Sequence, residues 1–324
     1  MQRRTVLSFL GGATATACAS SGSPQSSEAV PASSFAVTPA DYLGLNVGPE
    51  LSWNGWRDKL IPLYQQANVR WIRVWYNWAS LETSPGVYNL NAVRPALQLA
   101  KDPGFKVLFV IWGTPKHAGA GTLESLPRLS ALADYCAWLR DSLSDWVDAW
   151  EVWNEPNLTK YFTGSPAQYV ETLAAAYEVL RGRVPVVAAG TSGAAKSDYW
   201  QALLSSGLEQ HCDRVNIHPY RNKADEVVQL VDAFKSLVSK PLWITELGYS
   251  TDQSSEETKA AFLAKVMPLL TSRVETLFWY RGIQGEGLHP LRYGIVAGNK
   301  ATGVVTPLPA YQAYVTFARD YLNS

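Results

Sequence analysis

The segment Trp150-Glu151-Val152-Trp153-Asn154-Glu155-Pro156-Asn157 is mostly aromatic and apolar, then stops abruptly in an amide, a carboxylate and a proline. It reads as a buried strand closing in a polar turn, because proline cannot continue a ladder and steers the residue before it toward extended backbone. Glu155 therefore stands at a strand end. The segment Pro241-Leu242-Trp243-Ile244-Thr245-Glu246-Leu247-Gly248-Tyr249 repeats the design and delivers Glu246 in the same way. Two carboxylates at two separate strand ends suit paired acid/base and nucleophilic work.

Outward from these two segments, the chain alternates short apolar runs with longer amphipathic stretches. Strands are expected at Tyr42–Val47, Val69–Tyr76, Lys106–Trp112, Ala149–Trp153, Val184–Ala189, Arg214–His218, Leu242–Thr245 and Thr276–Tyr280. Helices are expected near 54–67, 91–101, 127–143, 166–181, 198–206, 223–237, 255–270 and 307–321. The helix near 127–143 places Leu129, Leu132, Tyr135, Cys136, Leu139 and Leu143 on one face. Eight near-continuous apolar strands, each followed by a helix, predict an α/β fold, a single (β/α)8 TIM barrel. A doubly wound open sheet is the competing arrangement, and it leaves the matched carboxylates unexplained.

In a barrel of this kind the functional side chains gather at the C-terminal ends of the strands. The residues that close the runs are Asn46, Arg73, Trp112, Asn154 with Glu155, His218 with Tyr220, Glu246, and Trp279 with Arg281. Trp279, Trp112, Trp75 and Trp78 are expected on the floor and walls of a cleft, with Trp279 foremost. Trp75 and Trp78 cannot both face it by simple alternation. Trp53 and Trp56 are outer candidates, and Trp146, Trp150 and Trp200 read as packing. His117 and His218 are expected to line the same site.

Totals bound the partners. The 324 residues carry 28 basic and 28 acidic side chains and no basic tract, which argues against nucleic acid. Thirteen Trp and 16 Tyr exceed what a core needs and fit a surface that covers the apolar faces of sugars. The four histidines show no metal-ligand spacing, and neither a metal nor a cofactor is expected. Gly190-Thr191-Ser192-Gly193-Ala194-Ala195-Lys196-Ser197 follows a strand like a phosphate-binding loop, but Ala195 stands where the second glycine is needed. Cys136, in a helix, and Cys212, at the start of a distant strand, read as two free buried thiols. The reading is of a monomer.

The first residues carry Arg3-Arg4 before a short apolar stretch, a twin-arginine-like export signal over 1–19 in a bacterial protein. Ala15-Thr16-Ala17-Cys18 resembles a lipoprotein cleavage box, so Cys18 is a candidate for lipidation and membrane anchoring. Residues 20–34 form a Ser/Pro/Ala tether, and the barrel occupies 35–324.

Trp153-Asn154-Glu155-Pro156 resembles the acid/base motif of clan A retaining glycoside hydrolases. Trp243-Ile244-Thr245-Glu246 resembles their nucleophile strand, and Val215-Asn216-Ile217-His218-Pro219-Tyr220 the strand between. Trp71-Ile72-Arg73-Val74-Trp75-Tyr76-Asn77-Trp78, with Glu82, Pro85, Gly86 and Tyr88, also resembles this clan, as do Tyr293-Gly294-Ile295 and Pro309-Ala310-Tyr311. Glu151 to Leu158 is most similar to glycoside hydrolase family 39 and related bacterial exopolysaccharide hydrolases. Gly113-Thr114-Pro115-Lys116-His117-Ala118 departs from that family, with His117 in a tryptophan's place.

The resemblance implies a retaining hydrolase acting on a β-linked poly- or oligosaccharide. Glu155 would be the acid/base, Glu246 the nucleophile, Asn154 a contact to the sugar 2-hydroxyl, and Arg73 and Tyr220 the groups that hold Glu246 ionised. The apolar neighbour Trp153 and the charge of Glu246 would favour a protonated Glu155. Retention implies carboxyls about 5–5.5 Å apart and inversion about 6.5–9.5 Å. The alternatives are a catalytically inactive carbohydrate-binding protein on the same barrel and a transglycosylase.

Overall fold

The computed structural model describes residues 35–193 and 196–322. The export signal, the tether and Cys18 lie outside them. Eight strands form the barrel: β1 Leu43–Asn46, β2 Trp71–Asn77, β3 Lys106–Trp112, β4 Ala149–Val152, β5 Val186–Ala188, β6 Val215–His218, β7 Leu242–Leu247 and β8 Thr276–Trp279. They are the eight runs expected from the sequence, with some ends shorter or longer by a residue or two. Their order is β5-β4-β3-β2-β1-β8-β7-β6, all parallel. The ring closes where Val187 bridges Arg214 beside β6 and the Ala188 amide donates to the Arg214 carbonyl at 2.9 Å.

Helices α1 Ile61–Gln66, α2 Val93–Lys101, α3 Leu129–Leu143, α4 Pro166–Leu180, α5 Ser197–Ser205, α6 Ala224–Lys235, α7 Glu256–Leu270 and α8 Pro309–Leu322 surround the ring. The first expected helix is divided. Trp56–Leu60 is a π-turn and α1 follows it, with Pro62 in the first turn of α1, where its missing N–H costs least. In α3 the expected face is buried from Leu132 to Leu143, whereas Leu129 at the first turn is 39% exposed. Helix α4 starts in a capping box, Ser165 with Gln168, and carries Pro166 at its first position. Cys136 and Cys212 are free and buried. No helix among the described residues is long and apolar enough to cross a membrane.

The barrel lumen is layered, and the layering places the site. At its lower end Trp71, Leu108, Ala149, Val187, Trp243 and Phe278 pack into one apolar plug. Gly44 makes room for this plug, since a Cβ there would lie 2.4 Å from the Phe278 ring. Alternation along a strand returns the next inward residue two positions later. Arg73 follows Trp71, Glu151 follows Ala149 and Thr245 follows Trp243, so the layer above the plug is polar and charged, and all three residues are buried.

Above β8 the chain between Gly282 and Thr306 is not a bare loop. It holds a small sheet of Ile283–Gln284, Val296–Gly298 and Val305–Pro307. Two- and three-residue strands carry too little periodicity to be read from sequence.

Candidate active site

The polar layer is organised by Arg73. Its Nε and Nη2 grip both oxygens of Glu151 at 2.7 and 2.9 Å, and Nη2 also donates to Asn154 Oδ1 at 2.9 Å. Nη1 donates to Asn46 Oδ1 at 2.9 Å and to Glu246 Oε1 at 2.5 Å. A guanidinium has five N–H donors, and these five bonds use them all. The side chain is fully buried, and the carboxylates of Glu151 and Glu246 outweigh the cost of burial and favour its charged form.

Glu151 accepts further bonds from Asn216 Nδ2 at 3.1 Å and from the Thr245 hydroxyl at 3.0 Å. The Asn216 amide also donates to Thr245 Oγ1 at 2.7 Å. With its proton given to Glu151, the Thr245 hydroxyl meets His218 Nε2 at 2.9 Å as an acceptor, so Nε2 carries a proton. The other ring nitrogen, Nδ1, lies 3.2 Å from Glu155 Oε1. His218 Nδ1 and Glu155 Oε1 are thus within hydrogen-bonding distance of each other.

Glu246 sits beside a register irregularity between β7 and β8 over Ile244 to Leu247, a bulge that re-aims the side chain at the strand end. Burial works to raise its carboxyl. The charges of His218 and Arg73 and the hydrogen bonds from Tyr220 and Arg73 prevail and hold it below its ordinary value. Tyr220 Oη donates to Glu246 Oε2 at 2.9 Å, and burial together with the Glu246 charge pushes the Tyr220 hydroxyl well above its usual value. Glu155, Glu246 and His218 each place one polar atom within 4.8 Å of the others.

The turn that presents Glu155 is strained. Trp153 and Glu155 have φ of 76° and 41°, left-handed values uncommon outside glycine, asparagine and aspartate. The extended backbone expected before Pro156 is thus overridden. The turn is pinned by the Trp153 amide on the Ile111 carbonyl at 2.7 Å and by the Glu155 amide on the Gly190 carbonyl at 3.0 Å. Gly190 also leaves space for the imidazole, since a Cβ there would lie 2.2 Å from the His218 ring. Trp153 turns away from the site and donates to the Tyr161 carbonyl at 2.8 Å.

A cavity of about 490 Å³ opens at Glu246, walled by Asn46, Trp75, Tyr161, Tyr280 and Arg281. Trp75, Trp112 and Tyr161 meet edge-on or tilted, with ring centroids 5.5–6.0 Å apart. Burial, with the charges of Glu155 and Glu246, pushes the Tyr161 hydroxyl up to about 12.

Of the residues singled out in the sequence, the structure brings together Glu155, Glu246, Asn154, Arg73, His218 and Tyr220, with Trp112 behind Trp75. Three expectations are corrected. Trp279 is fully buried against Phe262 of α7 and donates to the Tyr293 carbonyl, because as the last β8 residue it points outward; its neighbour Tyr280 walls the cavity instead. Trp78 is fully buried too. It lies past the end of β2 in a one-turn helix, stacked on Tyr135 of α3 and bonded to Glu82. His117 is half-buried, with Nε2 3.4 Å from Glu82, away from the cavity wall. The sequence reading missed Glu151, Tyr161, Tyr280, Asn216 and Thr245.

The glycosyl hydrolase catalytic core family profile matches residues 50–292. A family 39 glycoside hydrolase from the gut symbiont Bacteroides cellulosilyticus WH2 superposes with a TM-score of 0.72 at 20% identity, over 87% of this chain and 65% of that one. The chain thus spans less than two thirds of that enzyme. A GH5 enzyme variant from Bifidobacterium longum, in complex with Manβ1-4GlcNAc, superposes with a TM-score of 0.71 at 14% identity, over 87% and 79% of the two chains. A GH1 β-glucosidase from Exiguobacterium antarcticum B7 gives 0.68 at 12% identity, over 89% and 99%. No curated protein matches the chain in sequence.

Proposed function

The chain belongs to the glycosyl hydrolase catalytic core family, and from that premise we propose that it is a retaining glycoside hydrolase acting on β-linked sugars by double displacement. The observation that carries the reading is the pair of carboxylates with oxygens within 4.8 Å of each other and with different partners. That spacing suits the short separation of retaining enzymes rather than the roughly 6.5–9.5 Å that leaves room for a water. Glu246 is held ionised by Arg73 and Tyr220, as a nucleophile must be. Glu155, 3.2 Å from His218 Nδ1, would carry the proton that a general acid delivers.

In the first step a Glu246 oxygen bonds to the anomeric carbon while the glycosidic bond breaks, and the proton at Glu155 passes to the leaving oxygen. In the second, Glu155 takes a proton from water, the resulting hydroxyl bonds to the anomeric carbon, and Glu246 leaves as carboxylate. Asn154, oriented by Arg73, would bond the sugar 2-hydroxyl, a contact that strengthens as the oxocarbenium-like state forms. The Trp75–Trp112–Tyr161 cluster offers apolar ring faces to the sugar. On the strength of the Arg3-Arg4 leader, we place this activity outside the cytoplasm.

The test is a panel of aryl β-glycosides and β-glycans, with the anomer of the first-formed product followed by proton NMR. Retention is expected, and Glu246→Ala abolishes turnover. An inverted first product, or normal turnover in that variant, overturns the mechanism.

A further inference from the structure

Arg281 of the cavity wall belongs to a second buried ion pair that the proposed chemistry does not use. Arg281, only 5% exposed, follows β8, and Glu50, fully buried, lies in the turn after β1. Both oxygens of Glu50 accept from one nitrogen, Arg281 Nη2, at 2.9 and 2.7 Å. Gly48 makes room for this pair, since a Cβ there would lie 2.8 Å from Nη2. Of the remaining donors, Nε is sealed in the interior without a partner, and no bond from Nη1 is present among the described residues, so Nη1 is the donor left to a ligand.

Among the described residues of the cavity wall Arg281 is the sole cation, and the wall nearby is apolar, with Val47, Leu51, Ala92 and Ala96. A buried guanidinium with open donors beside apolar surface gains most from acceptor oxygens brought by a ligand. Its charge is already matched by Glu50, as that of Glu246 is by Arg73. A ligand carboxylate would therefore be a second anion on a cation already matched, whereas neutral hydroxyls meet the open Nη1 at no such cost.

We propose that Arg281, held by Glu50, is a specificity-determining residue that donates to hydroxyl oxygens of a neutral glycone and discriminates against uronic acids. The assignment rests on the cavity being a sugar site, as in the hydrolase reading, but it is tested by binding rather than turnover. Calorimetric titration of the full chain compares glucose, galactose and mannose with glucuronate, galacturonate and mannuronate. The wild type binds a neutral sugar about tenfold or more tighter than its uronate. Glu50→Gln frees the charge of Arg281, and this ratio falls by about tenfold or reverses. The paired Glu50→Gln/Arg281→Gln variant leaves no unmatched charge, so it folds with a wild-type circular dichroism spectrum and loses about tenfold in neutral-sugar affinity. Equal or tighter uronate binding by the wild type, an unchanged ratio in Glu50→Gln, undiminished affinity in the paired variant, or no sugar binding at all overturns the proposal. Neutral-sugar selectivity without glycoside cleavage would sink the double displacement and leave this assignment standing. Cleavage with an unchanged Glu50→Gln ratio would do the reverse.

Discussion

Arg73→Lys separates charge from geometry at the centre of the site. The arginine makes five hydrogen bonds, two to Glu151 and one each to Asn46, Asn154 and Glu246. An ammonium has three donors and no planar fork, so at least two of these bonds are lost while the positive charge stays. Hydrogen bonds to charged groups contribute roughly 1.5–3 kcal/mol each, which makes the expected loss about 3–6 kcal/mol. That is a large part of the roughly 5–15 kcal/mol that holds an ordinary domain folded.

Urea unfolding is the assay, and the midpoint should fall while the slope stays as in the wild type. Arg57→Lys is the control, because Arg57 meets Asp102 at 3.0 Å on the surface, where such a change amounts to within about 0.5 kcal/mol. A loss below about 1 kcal/mol for Arg73→Lys would refute the reasoning, since point charge rather than the fork would then be what the buried layer needs.

Three other perturbations read separate parts of the site. Tyr220→Phe removes the O–H that favours ionised Glu246, so the carboxyl pKa rises and the acid limb of kcat/KM moves to higher pH; an unmoved limb contradicts the assignment. Gly190→Ala drives a methyl group into the His218 ring, breaks its contact with Glu155, and lowers kcat by about tenfold or more with the fold intact by circular dichroism. Full activity would show that His218 is not needed where it stands. Burial pushes the Cys212 thiol up to about 12 and raises the Cys136 thiol as well, so in a Cys18→Ser background a thiol reagent labels the native protein only as fast as it unfolds, and rapid labelling is the contrary result.

The fold was legible because strands buried on both faces are written as largely apolar runs, and these strands are near-continuous ones broken by single polar residues. Glu155 and Glu246 were legible for the complementary reason, as polar residues that end such runs. Glu151 was not, because it lies inside the run, and what makes a carboxylate tolerable there is Arg73, 78 residues away in sequence. A faint signal existed: Arg73, Glu151 and Thr245 each follow a plug residue by two positions. Trp279 was misplaced by one residue, and one residue on a strand inverts the face, so Tyr280 took the wall. Tyr161 comes from a loop, where no periodicity announces orientation.

The bonds of Arg73 also give the barrel a direction of assembly. Four of the five go to Asn46, Glu151 and Asn154, all within the first four strand-helix units. Glu246 belongs to the second four, where Tyr220 is its partner but no arginine of that half reaches it among the described residues. Divided into two fragments between α4 and β5, the N-terminal piece would keep its cation nearly satisfied, and the C-terminal piece would carry the Glu246 carboxylate without its arginine. Since domains are synthesised N-terminus first, the earlier half leaves the ribosome as a template with one donor waiting, and the later half docks onto it through Glu246.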